Sequence, residues 1–483
     1  MINFADYQTD EVLLINPPLI FKEGFRRPSV SIPLGFLYVA TSLKKYTDKK
    51  VVLRDYIGHS KVKLDDRKNL GNVSEQDHYI GLSYNEIKKD LSDITIPKVV
   101  GISCSFLSHS FETIQTLVNI IKEISPQSKI ILGGCGLIEE MHTLFNGVDV
   151  YFFGEGEERL PHLLNGQFVD GIRDSAGHSP VDGQTPPYLK GDILTKHSVL
   201  DYSLVDIEKY VYLNEQGAHS RFSRTPRSVS FITTRGCPYT CNYCMIHTVH
   251  GRSWRLYSTE SIFQNLEALK NKYGVEHIHI EDDQFALKVP RFLEIIKKIQ
   301  DLGMTWDPSN GLYVQHLKEE DINLMAKYGA STIKIAPETG SQRVIDDIIK
   351  GKPITIKKMR DIAKWSYNAG LFVTGFLIIG FPQETEEDIK LTLDFAKDLT
   401  EKYNVRWTVS IARPFPGTDL RDYCEKNDLL TDASVIEVLG ATNLYNIKHK
   451  TFTLEYLQSV AKEIESTWID AGALTEEASL VEL

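Results

Sequence analysis

Short apolar segments alternate with helical segments twice along this chain, and this alternation restricts the fold more than any other feature. In the first series, the candidate strands lie at 12–15, 51–53, 99–103, 130–132 and 148–153, and the candidate helices at 34–45 and 111–124. Strands that alternate with amphipathic helices form parallel sheets with helices on both faces. The first series therefore predicts a Rossmann-like, doubly wound α/β unit.

The strands of the first series end on residues that let a bulky ligand approach. The residues at these ends are Asn16, Pro17, Ser103, Gly133, Gly134, Gly154, Glu155 and Gly156. In open parallel sheets, ligands bind beyond the carboxyl ends of the strands, and glycine there permits close contact with the backbone. A ligand site is therefore expected at this end of the sheet, although Glu155 and Glu157 also suit the N-terminus of a helix.

A second alternating series begins near Ser228. Its candidate strands lie at 229–233, 277–281, 332–336, 371–379 and 408–412. This series predicts a full or partial (β/α) barrel whose functional face is the carboxyl end of its strands. We expect a first domain at 1–169, a linker at 170–226, the barrel at 227–426 and a small helical C-terminal region at 427–483; the polar insertion at 57–97 is not assigned.

The composition is typical of a soluble globular chain. Of its 483 residues, 42% are hydrophobic and 25% are charged, and the length suggests two or three domains. The formal net charge of −11 argues against a nucleic-acid partner, because duplex binding relies on Lys and Arg. The first residues form no basic and apolar leader, and the apolar runs reach about half the ~20 residues of a membrane span. We therefore expect a cytoplasmic protein.

Three of the six cysteines lie close together in the segment from Arg235 to Cys244. Cys237, Cys241 and Cys244 form a C-x3-C-x2-C pattern directly after a candidate strand. Thiolates spaced in this way on a loop can converge on an iron–sulfur cube and leave its fourth iron open for a substrate. The alternative is a zinc site with His247 as the fourth ligand, although zinc knuckles usually begin with C-x2-C.

The cysteine pattern, with Tyr243 before its last member, resembles the signature of the radical SAM family. Later segments at 280–285, 336–340, 375–385 and 414–418 resemble that family in the same order, so the likeness covers about residues 228–423. It implies a 4Fe–4S cluster on the three cysteines. It also implies contacts with S-adenosylmethionine (SAM) by Tyr243, Asp282, Asp283, Glu338, Gly375 and Gly380. Taken singly, these residues also suit structural roles as strand-end caps, ion-pair partners and packing glycines.

The first series is similar to the cobalamin-binding domain that often precedes such a barrel. The matching pieces span about residues 10–165 and include 16–18, 33–35, Asp55, 100–103, 132–134 and 154–157. The resemblance implies cobalamin contacts at the strand ends named above. No Asp-x-His-x-x-Gly follows the first strand, so no histidine is placed to ligate cobalt. Gly134 continues as Cys135-Gly136 where Pro-His is more frequent, and some relatives keep this fold without cobalamin.

The resemblance implies reductive cleavage of SAM to methionine and a 5′-deoxyadenosyl radical, with an electron from a partner such as flavodoxin or ferredoxin. With cobalamin as methyl carrier, the expected reaction is methylation of an unactivated carbon of a small molecule. One alternative is a radical SAM enzyme of the same architecture that cyclises, rearranges or hydroxylates its substrate. The others are a metal- or cobalamin-binding protein without activity and a tRNA-modifying relative, although the tail at 475–483 carries no basic RNA-binding surface.

Overall fold

The computed structural model describes residues 2–22, 30, 32–57, 77–104, 111–138, 141, 144–179, 188–215, 225–432 and 446–470. The first half of the chain forms a six-stranded sheet and a small two-stranded sheet. The strands are β1 (Glu11–Asn16), β2 (Leu19–Lys22), β3 (Lys50–Asp55), β4 (Asp77–Ile80), β5 (Val99–Ser103), β6 (Lys129–Gly133), β7 (Val150–Phe152) and β8 (Ile172–Asp174). The helices are α1 (Leu34–Tyr46), α2 (Tyr84–Ser92), α3 (Phe111–Ile124), α4 (Arg159–Leu164), α5 (Gly191–Lys196) and α6 (Ile207–Leu213).

The large sheet has the order β3-β1-β5-β6-β7-β8, and all of its pairs are parallel except the last. Alternate residues of β1 enter two separate hydrophobic cores. Val12 and Leu14 pack with residues of α1 and α4, whereas Leu13 and Ile15 pack with residues of α2 and α3. Helices therefore cover both faces, and the predicted doubly wound sheet is confirmed.

The stretch predicted as a linker contains secondary structure that completes the first sheet. β8 pairs antiparallel with β7, and its Ile172 is buried in the same core as α1. α5 and α6 follow in the same stretch, and Tyr210 of α6 is fully buried. Part of the unassigned insertion is also ordered, since β4 pairs with β2 and α2 packs beside α3. Sequence reasoning placed no elements here because each strand is only three or four residues long.

The second half of the chain contains the predicted barrel. Its strands are β9 (Ser228–Phe231), β10 (Thr234–Arg235), β11 (Arg255–Leu256), β12 (His277–Ile280), β13 (Thr305–Pro308), β14 (Thr332–Glu338), β15 (Phe372–Ile379) and β16 (Arg406–Ile411). Its helices are α7 (Ile246–His250), α8 (Thr259–Tyr273), α9 (Val289–Asp301), α10 (Glu319–Lys327), α11 (Ile356–Asn368), α12 (Glu386–Tyr403), α13 (Asp419–Lys426) and α14 (Leu454–Asp470), with a short π-helix at Val344–Ile349.

Two three-stranded parallel sheets make up the barrel wall, in the orders β9-β12-β13 and β14-β15-β16. Isolated parallel bridges from Trp306 to Ala330 and from Leu312 to Ile335 join β13 to β14. The wall is therefore one curved parallel sheet that runs from β9 to β16, which is a partial (β/α) barrel. Sequence reasoning missed β13, a strand of four residues that contains a buried aspartate and a proline.

Residues alternate between the helices and the lumen along each barrel strand. Ile278, Ile280 and Ile333 lie in the hydrophobic core with the surrounding helices. Their neighbours His277, His279 and Lys334 therefore face the opposite side of the sheet, which is the lumen. The lumen is polar, and this property separates it from the apolar layer beneath the helices.

The C-terminal helix α14 covers the outer face of the barrel beside β16 and α12. Leu457, Val460 and Ile464 are buried at helical spacing, as the sequence pattern predicts. In the described part of the chain, no helix combines the length and the apolar character needed to cross a membrane.

Candidate cluster and ligand site

The cluster loop, defined here as residues 236–245, begins directly after β10 and carries the three cysteines. Its backbone is tied to neighbouring elements on several sides. Asn242 donates its backbone N–H to the Ile349 carbonyl (3.1 Å) and its side-chain Nδ2 to the Ile348 carbonyl (2.8 Å), and its own carbonyl accepts from Leu420 N (2.9 Å). The π-helix and the start of α13 therefore hold the loop in place.

The three thiols suit a cluster rather than a single metal ion. Sulfur ligands of one tetrahedral zinc ion lie about 3.8 Å apart. Among the described His, Cys, Asp and Glu side chains, only His277, His279 and Asp307 have three ligand atoms that all lie within 4.8 Å of one another. At least two of the three cysteine sulfurs are therefore farther apart than 4.8 Å. A cube binds each thiolate at a different iron, so its ligands are spread more widely. His247 belongs to no such group among the described residues, and its Nε2 lies 3.0 Å from the Gly417 carbonyl.

A buried cation stands beside the thiols. The ammonium group of Lys352 lies 3.3 Å from Glu338 Oε1, and its charge acts on Cys241 and Cys237. Burial raises the pKa of Cys241 to about 12 and that of Cys244 to about 11, so thiolates here need compensating positive charge. Lys352 supplies such charge, and a cluster bound by three thiolates fits this environment.

Glu338 reaches the cluster loop through an unusual backbone geometry. It has a positive φ of 67°, and the pairing of β14 with β15 shifts register between Ile335 and Glu338. Such a conformation costs a non-glycine residue about 1–3 kcal/mol and often marks a functional site. The Glu338 carboxylate accepts a hydrogen bond from the Tyr243 hydroxyl as well as the contact from Lys352. Two of the predicted SAM residues are therefore in direct contact.

Asp282 and Asp283 lie at the carboxyl end of β12, but they turn to different partners. Both carboxylate oxygens of Asp282 accept hydrogen bonds from Thr233, one from its backbone N–H and one from its hydroxyl. Asp283 accepts from the backbone N–H of Gly236 at 2.9 Å and so holds the start of the cluster loop. Burial raises the pKa of Asp282 to about 6 and that of Asp283 to about 7.

The two glycines predicted to flank SAM are closely packed. A Cβ at Gly375 would overlap the Trp407 ring, so glycine is needed there for packing against β16. Gly380 has a φ of +86°, and its N–H donates to Glu384 Oε2 at 2.6 Å. Burial raises the pKa of Glu384 to about 8. This turn is a compact unit beside Phe381, whose ring lies 5.9 Å from that of Tyr243.

The segment 414–418 supports the helix that follows the cysteines. The Gly417 carbonyl accepts from His247, and a Cβ at Gly417 would meet Thr248 at 2.8 Å. Thr418 caps α13 by accepting from Arg421 N, and Leu420 donates to the cluster loop. This segment therefore braces α7 and the loop.

In the first sheet, the ligand edge comprises the carboxyl ends of β1, β5, β6 and β7. At β1, Asn16 donates to Asp55 Oδ1 (2.8 Å), and the Tyr210 hydroxyl donates to Asp55 Oδ2 (2.7 Å). All three side chains are buried, and Pro17 is buried beside them. α6 therefore closes this part of the edge, and Asn16 is engaged in a hydrogen-bond network.

At β5 and β6, the ligand edge is open. Gly134 and Cys135 are exposed, and Ser103 is half-buried. Gly134 has a φ of +118°, and a Cβ there would overlap the Cys104 carbonyl oxygen. Gly133 lies inside β6, where its carbonyl accepts from Cys104 N at 2.6 Å. The backbone at Gly134 is thus exposed, at the edge where the sequence predicts a large ligand.

At β7, the ligand edge contacts the barrel. Glu155 Oε2 accepts from Arg255 Nη1 (2.7 Å) and from Leu189 N (2.6 Å), and its Oε1 lies 3.0 Å from Arg235 Nη1. Glu157 Oε1 accepts from Arg235 Nη2 at 2.7 Å. Burial opposes ionisation of Glu155, but the two arginines outweigh it and lower its pKa to about 2. The Glu155 side chain thus joins the first sheet to the barrel.

A second group of ligand-type side chains lies in the lumen. Asp307 Oδ1 contacts His277 Nε2 (3.0 Å) and His279, while Asp307 Oδ2 contacts Lys334 Nζ (3.1 Å). These partners hold the pKa of Asp307 well below its usual range despite burial. A divalent ion here would be repelled by the Lys334 ammonium. The group is therefore a buried charge cluster in the lumen.

Comparison with known proteins agrees with this geometry. Residues 231–396, which include all three cysteines and the strands β12 to β15, match the Radical SAM superfamily model. Residues 231–396 therefore form a radical SAM domain. The predicted resemblance is confirmed, and with it an enzyme whose family implies a 4Fe–4S cluster and SAM.

The relatives of this chain match far beyond the barrel. An uncharacterized methyltransferase of Pyrococcus horikoshii is 26% identical over 94% of this chain and 91% of its own length. Cytidylyl-2-hydroxyethylphosphonate methyltransferase of Streptomyces wedmorensis is 26% identical over 80% of this chain and 77% of its own. The methyltransferase TsrM of Kitasatospora setae, solved with cobalamin and a 4Fe–4S cluster bound, covers 95% of this chain and 89% of its own length with a TM-score of 0.66 and 15% identity. The fold is shared over both sheets.

Sequence reasoning missed three charged residues at the site. Lys352 lies beyond the segment at 336–340, although the sequence Lys350-Gly351-Lys352-Pro353 marks a turn there. Arg235 belongs to the segment of the cysteine pattern, whereas no motif contains Arg255. Their functions depend on contacts with residues at least 14 positions away, as the Lys352–Glu338 pair illustrates, and no local pattern records such contacts.

Proposed function

We propose that this protein is a cobalamin-dependent radical SAM methyltransferase that acts on an unactivated carbon of a small molecule. The cluster supplies, when bound, the electron that cleaves SAM, and cobalamin supplies a carrier for methyl groups. A reductant such as flavodoxin or ferredoxin and a cytoplasmic location belong to the same proposal, as do a barrel at 227–426 and a helical C-terminal region at 427–483.

One observation carries the proposal. The ligand edge of the first sheet meets the barrel at the residues that precede the first cysteine, through Glu155 and Glu157 on one side and Arg235 on the other. A ligand on the exposed part of this edge and a cluster on the three thiols would therefore lie on the same side of the molecule. Transfer of a methyl group to a substrate radical requires such proximity.

The residues of the chain have distinct roles in this proposal. Cys237, Cys241 and Cys244 hold the cluster, and Lys352 balances the charge of the thiolates. Tyr243, Asp282, Asp283, Glu338, Gly375 and Gly380 form the proposed SAM pocket, in which Glu338 is held by Tyr243 and Lys352. Asn16, Pro17, Ser103, Gly133, Gly134, Gly154, Glu155 and Gly156 form the proposed cobalamin edge, with Gly134 and Ser103 at its accessible part.

Anaerobic reconstitution with iron, sulfide and hydroxocobalamin tests the proposal. Iron, sulfide and cobalt are quantified after removal of unbound cofactor, and the protein is then reduced in the presence of methyl-labelled SAM. We expect about four iron atoms and one cobalt per chain. Formation of 5′-deoxyadenosine together with S-adenosylhomocysteine, and of labelled methyl on cobalamin, is the expected result. Cluster-dependent deoxyadenosine without cobalt would assign the enzyme to the group that does not methylate.

A further inference from the structure

A buried charge network crosses from the first sheet to the barrel two residues before the first cluster cysteine. It comprises Glu155, Glu157, Arg235 and Arg255, and each of these side chains is at most 7% exposed. In it two carboxylates face two guanidinium groups; the buried guanidinium of Arg159 also acts on both carboxylates, and His250 Nδ1 lies 4.0 Å from Glu155 Oε1. The Arg235 guanidinium also lies 4.7 Å from the Tyr38 ring centroid and donates to the Tyr257 hydroxyl at 2.7 Å.

The barrel side of this network is continuous with the cluster loop. Arg235 lies on β10, which pairs antiparallel with Arg255 of β11, and only Gly236 separates Arg235 from Cys237. Gly236 has a φ of +82°, a Cβ there would overlap the Ser253 carbonyl, and its N–H is held by Asp283. The backbone between Arg235 and Cys237 is therefore constrained on both sides, and the charge of Arg235 lies two residues from the first cysteine.

The sheet side of the network is continuous with the ligand edge. Gly154 and Gly156 flank Glu155, and the carbonyl of Glu155 is bound by Arg159, which also donates to Phe153 and Asp170. The turn at 153–157 is thus rigid on its own sheet. Its two carboxylates are directed away from that sheet and into the barrel.

We infer that Glu155 and Glu157 are positioning residues that set the geometry and the electrostatic environment of the cluster loop from the first sheet. The inference rests on the proposed function for the presence of the cluster. Loss of either carboxylate leaves one carboxylate facing the two guanidinium groups of Arg235 and Arg255, and added positive charge near the cluster favours the reduced form. We therefore expect Glu155→Gln to move the midpoint potential of the cluster to a less negative value and to alter its EPR signal.

Asp149→Asn is the matched control. Asp149 is a half-buried carboxylate of the same sheet with two cationic partners, Lys122 (2.8 Å) and Lys129 (3.1 Å), and a backbone donor, Ile130 N (2.9 Å). It precedes β7, at the opposite end of the strand from the ligand edge. Its substitution should lower stability without changing the potential or the EPR signal of the cluster.

The experiment compares reconstituted wild type, E155Q, E157Q and D149N by redox titration and EPR, first without cobalamin. Circular dichroism and iron content establish that each variant is folded and loaded. If E155Q does not fold, E157Q is compared instead, because it removes only one contact to Arg235; R235K, which keeps the charge, should stay near the wild-type potential. Wild-type potentials and EPR spectra in both E155Q and E157Q, or equal shifts in D149N, would overturn the inference.

A second arm adds hydroxocobalamin. Binding to the ligand edge should change the EPR signal of wild type and leave that of E155Q, at equal cobalt content, unchanged, because the connection between the two sites is broken. If wild type binds no cobalt, the proposed methyltransferase function fails while the first arm still decides the role of the two glutamates. If wild type binds cobalt and E155Q shows the same change in EPR signal, coupling through the network is rejected and the proposed function stands.

Discussion

In the barrel, the strand ends around the cysteines are bound to one another; in the first sheet, Gly134 at the end of β6 is exposed and Ser103 at the end of β5 is half-buried. The cluster loop is held by Asp283, the π-helix and α13, whereas Gly134 and Cys135 have solvent beside them. Covalent ligation requires thiols in fixed positions, while a large planar cofactor needs access to backbone over a wide area. The difference indicates one site built around a small cluster and one built to receive a large ligand.

The largest expected effect comes from removing one cluster ligand, which should leave the first sheet unchanged. Cys237→Ala should reduce the iron and sulfide content to about a tenth of wild type or less, because the remaining two thiolates cannot hold a cube. Cys424→Ala is the control, since Cys424 is also fully buried but lies in α13. Iron and sulfide assays after reconstitution decide; equal iron content in both variants would show that the three cysteines are not the ligands.

The next prediction removes the ligand of the first sheet and leaves the cluster in place. Gly134→Val should remove most bound cobalamin and leave the iron content unchanged, because a side chain at φ +118° is strained and its Cβ overlaps the Cys104 carbonyl. Gly370→Ala serves as the control, since Gly370 also has a positive φ (+74°) but has no atom within 4 Å of the added Cβ. Cobalt analysis after gel filtration is the measurement. Retention of cobalamin by Gly134→Val would place the ligand elsewhere.

A smaller effect is expected on the midpoint potential of the cluster when the buried cation beside the thiolates is removed. Lys352→Met should make the midpoint potential of the cluster more negative, because it removes the buried cation beside the thiolates and leaves Glu338 uncompensated. Loss of one partner of a buried pair also costs about 3–5 kcal/mol of stability. Lys357→Met is the control, as that side chain is 87% exposed. Redox titration with thermal unfolding tests the prediction, and an unchanged potential in Lys352→Met would contradict it.

The smallest expected effect tests whether Gly375 of β15 is needed for strand packing or for contact with SAM. Gly375→Ala should lower the free energy of unfolding by about 1–3 kcal/mol, since its methyl group would press against Trp407. Denaturant unfolding gives the change in stability, and SAM titration of the reconstituted protein gives the affinity. A loss of affinity without a loss of stability would show that Gly375 serves SAM directly and not the packing of the two strands.

Much of this architecture follows from local sequence patterns. The strands at 99–103 and 277–281 are regular apolar or alternating runs, and the structure places β5 and β12 there within one residue. The C-x3-C-x2-C spacing also predicts a metal-binding loop without any tertiary information. By contrast, β8 and β13 are short and depend on pairing with distant strands. Their stability comes from tertiary contacts that no window of sequence contains.

The site was predicted less completely than the fold for the same physical reason. Asp282 and Asp283 are adjacent in sequence, and nothing local separates the residue that binds Thr233 from the one that binds Gly236. Glu155 suited a helix N-terminus by pattern, yet its carboxylate is neutralised by arginines 80 and 100 residues later. Charge pairing between distant segments is a property of the folded chain alone.

The barrel lumen contains a charge cluster that affects how the barrel responds when ligands enter and leave. It comprises His277, His279, Asp307 and Lys334. These side chains are at most 8% exposed and join β12, β13 and β14 across the lumen. Breaking these contacts would leave buried charges unpaired, which is strongly destabilising. This part of the lumen therefore resists rearrangement when ligands enter and leave the barrel.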